Sequence, residues 1–334
     1  MKTLVVPVIL ITLFLMCCAA PAQPSATPIT APAATPPATV QPEKPLQPAI
    51  EDAEAAGAFP ITVTDGLSRK VTIKTLPRKI VSLAPSNTEI LFALGLDDRI
   101  IGVTDYCNYP EQARVKPHVA GYMTPDLERL VTLSSDLVLA ESIHEKTVLP
   151  ALESRGFTVI MLQSHSIEEI LGNIKLVGTV AGKGKNADKL VADLSGRISS
   201  VVERTRSVPQ SKRPRVLYVI WNEPVWTMGG NTYTDDVISK AGGRNIFSAD
   251  FEKSRVVSPE SIVSRNPQVV IVSGMGTSGD TIAQNLRQQP WMQTTDAVRQ
   301  GRVYVISNSD IIERPGPRIV QGLEEVGRLL QDGK

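Results

Sequence analysis

Apolar residues fall along this chain in two alternating rhythms. One is a set of short, mostly apolar runs: 79–84 (KIVSLA), 137–140 (LVLA), 156–162 (GFTVIML), 215–220 (RVLYVI), 269–272 (VVIV) and 301–307 (GRVYVIS). The continuously apolar ones, 137–140 and 269–272, predict strands buried on both faces of a parallel sheet, and the others read as strands of the same kind. The other rhythm is helical. Residues 166–208 place Ile167, Ile170, Leu171, Ile174, Val177 and Val180 on one face, then Leu190, Leu194, Ile198, Val201 and Val202. Gly182 and Gly184 interrupt it, so the spacing predicts a helix, a break near 182–184, and a long helix to about Arg206.

The runs repeat in order. Residues 126–140 (DLERLVTLSSDLVLA) read as short helix, polar turn and strand, and 258–272 (SPESIVSRNPQVVIV) read the same way. In each copy a glutamate, Glu128 or Glu260, precedes an aliphatic pair and then the strand. KIVSLA is echoed by RVLYVI, 90–95 (ILFALG) by 237–242 (VISKAG), and GFTVIML by GRVYVIS. Four echoes in one order predict an α/β fold of two similar Rossmann-like lobes, at 78–182 and 209–334. The helix at 183–208 joins them.

Ahead of the lobes, residues 1–18 form a targeting segment: Lys2, an apolar run over 4–16 too short for a comfortable span, then Cys17 and Cys18. It resembles a lipoprotein signal, with Cys18 the expected lipid anchor and Cys17 the alternative. Residues 19–58 begin as a Pro/Ala/Thr-rich tether with too little apolar mass to fold. Residues 59–77 alternate apolar and polar around Asp65-Gly66, which predicts a small hairpin. Ser86 or Asn87 is expected to cap the first helix of the first lobe.

Composition narrows the function. The chain has 334 residues, 35 basic and 34 acidic, for a net charge of +1, and no basic stripe with interleaved aromatics; nucleic acid is not an expected partner. Cys107 is the only cysteine past the leader, which excludes a disulfide within the lobes and suits it to packing, as with Met275. No nucleophile elbow, Walker loop or H-E-x-x-H is present, so an enzyme is disfavoured and no catalytic residue is expected. His118, His144 and His165 lack paired spacing, and no metal site is expected from them.

Ligands of doubly wound sheets sit beyond the carboxyl ends of the strands. The loops there carry Tyr106, Tyr109, Tyr122, Glu141, His144, Trp226, Met275, Asp310 and Arg314. Flat aromatic surface with a few charges suits a large, partly polar ligand.

Residues 80–94 (IVSLAPSNTEILFAL), 106–110, Leu127-Glu128-Arg129, 136–140 and 309–318 (SDIIERPGPR) resemble the cobalamin-binding proteins of ABC importers. These belong to a wider family that also captures ferric siderophores and haem. The resemblance runs from Arg78 to the C-terminus. It implies a helical-backbone periplasmic-binding-protein fold and a monomer that delivers cobalamin or a related corrinoid to a permease dimer with its ATPase subunits. Ferric siderophore or haem is the alternative ligand, and a corrinoid- or chelate-processing enzyme the alternative of another class. It implies no cofactor beyond the bound chelate and a periplasmic or cell-surface location. By the same resemblance Tyr106, Tyr122, Trp226, Asp310 and Arg314 contact ligand, while Glu128 and Glu260 dock on the permease. Glu141, expected at the ligand too, stands where the family has Trp; Ser254 stands where it has another. The plainer alternatives are helix caps for Glu128 and Glu260, and core aromatics for Tyr106, Tyr122 and Trp226.

Overall fold

The computed structural model describes residues 57–274 and 278–331. The leader with Cys17 and Cys18, the tether up to residue 56, and Met275 lie outside the described residues. Among the described residues, no helix is long and apolar enough to cross a membrane.

Two four-stranded parallel sheets carry the aliphatic runs. The first is built from β3 (Ile80–Ser82), β4 (Ile100–Val103), β5 (Leu137–Glu141) and β6 (Val159–Leu162), ordered β4-β3-β5-β6. The second uses β7 (Arg215–Val219), β10 (Arg244–Asn245), β12 (Val269–Val272) and β13 (Val303–Val305), ordered β10-β7-β12-β13. Counted within its own lobe, each sheet runs second, first, third, fourth. Every residue of β3, β6 and β12 is buried, which is why these strands read as continuous apolar runs.

The echoed cassettes fold alike in detail. Asp126 caps α2 (Leu127–Leu133) by accepting from the N–H groups of Glu128 and Arg129, both at 3.0 Å. Ser258 caps α7 (Pro259–Arg265) by accepting from Ser261 N–H. The helices end on left-handed residues, Ser134 (φ 49°) and Asn266 (φ 42°), and the strands begin at Leu137 and Val269. The caps are therefore Asp126 and Ser258. Glu128 and Glu260 do not cap; both sit exposed in the first turn, where a carboxylate still favours the helix dipole.

The helical stretch breaks at the glycines. α4 (Ile167–Val180) is followed by α5 (Gly184–Arg206), 23 residues or about 35 Å long at 1.5 Å per residue. Val191, Leu194, Ile198 and Val201 form the buried stripe of α5. A Cβ on Gly178 would lie 2.4 Å from that of Ala187, so the glycine lets α4 and α5 meet backbone to side chain. On its other side α5 meets α11 (Ile319–Gln331), where Arg197 holds Glu324 in a two-pronged pair at 2.9 and 2.7 Å.

β1 (Ile61–Thr64) and β2 (Lys70–Ile73) pair as the antiparallel ribbon, and the buried Asp65 carboxylate in its turn accepts from Met161 N–H of β6. Two expectations are corrected. From the sequence alone, residues 222–226 and 247–256 are expected to be loops, but they contain strands: β8 (Trp221–Asn222), β9 (Val225–Met228) and β11 (Ser254–Val256) form an antiparallel sheet, with Trp221 and Val256 both opposite Trp226. Strands this short leave little alternation to read. Ser86 and Asn87 do not cap α1 (Pro85–Ala93). Pro85 starts that helix without needing a donor, so the residue before it, Ala84, takes the cap position.

The two cassettes predict opposite outcomes for one substitution. Ser134→Gly should raise stability by roughly 0.5–1 kcal/mol, because a left-handed serine is strained and glycine is not. Asn266 shares that backbone, but its amide bonds Asp296 Oδ2 (2.9 Å) and Asp296 N–H (2.8 Å). Asn266→Gly should therefore lose about 1–3 kcal/mol. Urea unfolding of both variants checks the pair; a gain at Asn266 would show that backbone strain dominates there.

Candidate functional site: the cleft between the lobes

The carboxyl ends of the two sheets face one another. β13 leads into α10 (Asp310–Glu313) and the stiff Pro315-Gly316-Pro317 turn, which lies against α1 of the first lobe. A Cβ on Gly316 would stand 3.4 Å from Ser86 O and 3.5 Å from Glu89 Oε2. Arg314, at the end of α10, reaches Asn108 Oδ1 in the loop after β4 (2.7 Å), Glu89 Oε1 (3.5 Å) and Asp310 Oδ1 (2.9 Å).

The tightest link is between Glu89 and Arg318. Arg318 Nε donates to Glu89 Oε2 at 2.8 Å and its Nη2 to Oε1 at 2.5 Å; the side chains are 8% and 2% exposed. The Arg318 guanidinium also lies 3.8 Å from the centre of the Tyr109 ring. The cause lies in α1, whose residues 86–91 are all buried, so it has no wet face on which to leave a charge. Burial pushes the Glu89 carboxyl up, and Arg318 and Arg314 oppose it. Two other polar residues of α1 are met as well: Thr88 bonds Ser82 and Cys107, and Ser86 donates to Glu141.

Glu141 ends β5 and faces Tyr122, whose hydroxyl donates to its Oε2 at 2.6 Å. Burial, then the Glu141 charge, pushes the Tyr122 phenol up and keeps it protonated. His144 fixes this pair from behind. Its Nδ1 accepts from Glu141 N–H (3.1 Å), so Nε2 carries the proton and donates to the Tyr122 carbonyl (2.6 Å). His144 is fully buried and edge-on to the Tyr122 ring, a positioning residue for Tyr122 and Glu141.

These residues border a cavity of about 220 Å³ shared by both lobes, lined among others by Asn87, Tyr122, Glu141, Gln163, Tyr233 and Glu313. Tyr233, from α6 (Tyr233–Lys240), donates to the Glu313 carbonyl at 2.7 Å. Burial pushes the Glu313 carboxyl up to about 7; Asp310 adds to this, and Ser273 and Arg314 oppose it. Among the described residues no cluster of three or more His, Cys, Asp or Glu could hold a metal ion.

The structure thus joins Tyr122 to Glu141 on the cavity wall, and Asp310 to Arg314 on the segment that carries Glu313 and Pro315 to it. Tyr106 and Trp226 are instead the open surface at the strand ends, 61% and 39% exposed, so neither is a core aromatic. Trp221, level with Trp226 on the neighbouring strand, is 41% exposed. Sequence reasoning gave no site role to Glu89, Arg318, Asn87, Tyr233 or Glu313. One signal was present: Glu89 is a lone charge before the apolar run ILFAL, and a charge there must find a partner inside.

The Glu313 carboxyl gives a stability signature with a definite sign. Its folded value of about 7 lies above the ordinary 4.5, so the folded state takes up a proton. Its contribution is fully present below pH 4.5 and is lost as pH rises through about 7. Glu313→Gln should therefore gain melting temperature over the parent at pH 8 and little at pH 5. An equal shift at both pH values would place the carboxyl in water.

Comparison with known proteins agrees with this geometry. Residues 80–309 match the family model described as periplasmic binding protein. An ABC transporter substrate-binding lipoprotein of Bacillus subtilis is 31% identical over 280 residues, covering 81% of this chain and 86% of its own. A vitamin B12-binding protein of Vibrio cholerae is 30% identical over 255 residues, covering 76% and 89%. The structure of a periplasmic haem-binding protein from Pseudomonas aeruginosa superposes with a TM-score of 0.68 at 26% identity, covering 77% of this chain and 94% of that one. The chain belongs to the periplasmic binding protein family, whose members bind substrates for transport and are not enzymes.

Proposed function

We propose that this protein is the lipid-anchored binding component of an ABC importer and captures cobalamin or a related corrinoid between its lobes. The observation that carries the reading is the cleft itself. Both lobes carry exposed tyrosine or tryptophan rings, and the two lobes share a polar cavity. Flat rings offer area to a flat macrocycle at little entropic cost. Tyr106 and Trp226 are the proposed stacking surfaces, with Tyr122, Glu141, Asp310 and Arg314 the proposed polar contacts. The similarity to a vitamin B12-binding protein supports the corrinoid; the similarity to a haem-binding protein names the competitor.

Titrating the protein without residues 1–18 with cyanocobalamin by calorimetry should give saturable binding at micromolar concentration. Binding of haem or a ferric siderophore with no heat from cyanocobalamin would refute the corrinoid.

The proposed partner is a two-fold permease dimer, gripped by Glu128 and Glu260. Both stand exposed at the same place in the two repeated cassettes. One exposed ion pair is worth roughly 0–1 kcal/mol, but two points on one rigid body raise the effective concentration of the second contact. Glu128→Arg with Glu260→Arg should abolish uptake in cells and leave ligand affinity unchanged, each single change being milder. Retained uptake, or lost affinity, would return these residues to a structural role. The same uptake strains test the anchor: Cys18→Ala should leave the protein unlipidated, and continued labelling would move the anchor to Cys17.

A further inference from the structure

The cavity between the lobes has a charge and hydrogen-bonding character of its own. At about 220 Å³ it is smaller than the roughly 300–1,000 Å³ that encloses a whole ligand of drug size, so it takes an arm of a large ligand rather than its body. Two buried polar atoms on its wall have no hydrogen-bond partner in the protein: Asn87 Nδ2, a donor on a residue 1% exposed, and Glu313 Oε1. They come from opposite lobes. Burying either unpaired costs about 1–3 kcal/mol.

Among the described residues, no cation forms an ion pair with either carboxylate on this wall. Glu141 is held by two hydroxyls, from Tyr122 and Ser86. The two nearest guanidiniums are engaged elsewhere, Arg318 by Glu89 and Arg314 by Asp310, Asn108 and Glu89. The remaining wall is uncharged: hydroxyls of Ser142, Ser164 and Tyr233, and amides of Gln163 and Asn173.

We propose that this cavity is a subsite for an uncharged carboxamide arm of the bound chelate, and that Glu141 and Glu313 together exclude chelates whose periphery is carboxylate. A carboxamide offers its carbonyl to Asn87 Nδ2 and its N–H to Glu313 Oε1, satisfying both lobes with one group. A carboxylate arm has no donor for Glu313 and meets two like charges in a poorly hydrated space. The Glu313 carboxyl, pushed up to about 7 by burial, pairs with an amide in either protonation state. The inference rests on the corrinoid reading for the body of the ligand; the rule on charge stands on the cavity alone.

A matched set of probes separates the two. Cyanocobalamin and dicyanocobinamide carry peripheral amides; dicyanocobyrinic acid has the same macrocycle with carboxylates in their place. At pH 8 the parent protein should bind the acid at least about tenfold more weakly than either amide ligand. The Glu141→Gln, Glu313→Gln double variant, shown folded by its melting curve, should narrow that gap to within about threefold. Equal binding of acid and amide by the parent, or an unchanged gap in the double variant, overturns the proposal. A parallel arm compares a neutral ferric trihydroxamate with ferric citrate and haemin. If no corrinoid binds but the trihydroxamate is preferred, the corrinoid reading falls and the selection against anions stands. If haemin or ferric citrate is preferred, or no probe binds, both fall.

Discussion

The structure depends on what becomes of one carboxylate. Glu89 lies in the fully buried stretch 86–91 of its helix, and a charge in that position is tolerated only when paired and hydrogen-bonded. Its partners, Arg318 and Arg314, come from the far lobe. Satisfying the charge therefore fixes the segment 310–318 against the first lobe, with the rigid turn at 315–317 holding both guanidiniums in place. The cavity follows from this, because its roof is Glu313 and Pro315 and its floor is Asn87, two positions from Glu89. A group that stabilises little by itself, given what its desolvation costs, sets the relative placement of two domains.

The same engagement decides the electrostatics of the cleft. Because both arginines are engaged by Glu89, Asp310 and Asn108, neither pairs directly with Glu141 or Glu313. Hydroxyls hold Glu141 instead, and burial holds Glu313 near neutral pH on the threshold of charge. The cleft is thus two environments: exposed rings outside and a small acidic, hydrogen-bonding recess inside.

Much of this was legible in the sequence because burial on both faces leaves an unmistakable trace. LVLA and VVIV could only be inner strands, and they are. The glycine break at 182–184 separated α4 from α5 within two residues of its place. Repetition made the lobes readable, since Glu128 and Glu260 mark equivalent turns. What escaped was whatever depends on partners distant in sequence. Ser86 and Asn87 have the chemistry of caps, and nothing local says that Pro85 has already started the helix, freeing them to face a cleft. Tyr106 and Trp226 could be assigned to the strand ends, but their exposure depends on neighbours. Arg314 was read for its stiff loop; its commitment to Glu89, 225 positions away, is visible only in the fold.

The repeat has a consequence for how such a chain diversifies. Sheet order, cassette helices and left-handed helix ends match between the halves, whereas the additions do not. The first lobe gained a ribbon, β1 and β2, tied to the far end strand β6; the second gained the sheet of β8, β9 and β11 directly after its central strand. The molecule therefore keeps a twofold plan in its frame and abandons it at its mouth. An object that is itself lopsided can then be held in one orientation only, because its two sides meet walls that no longer mirror each other. Symmetry supplies the jaws, and unequal insertion supplies the sense of direction between them.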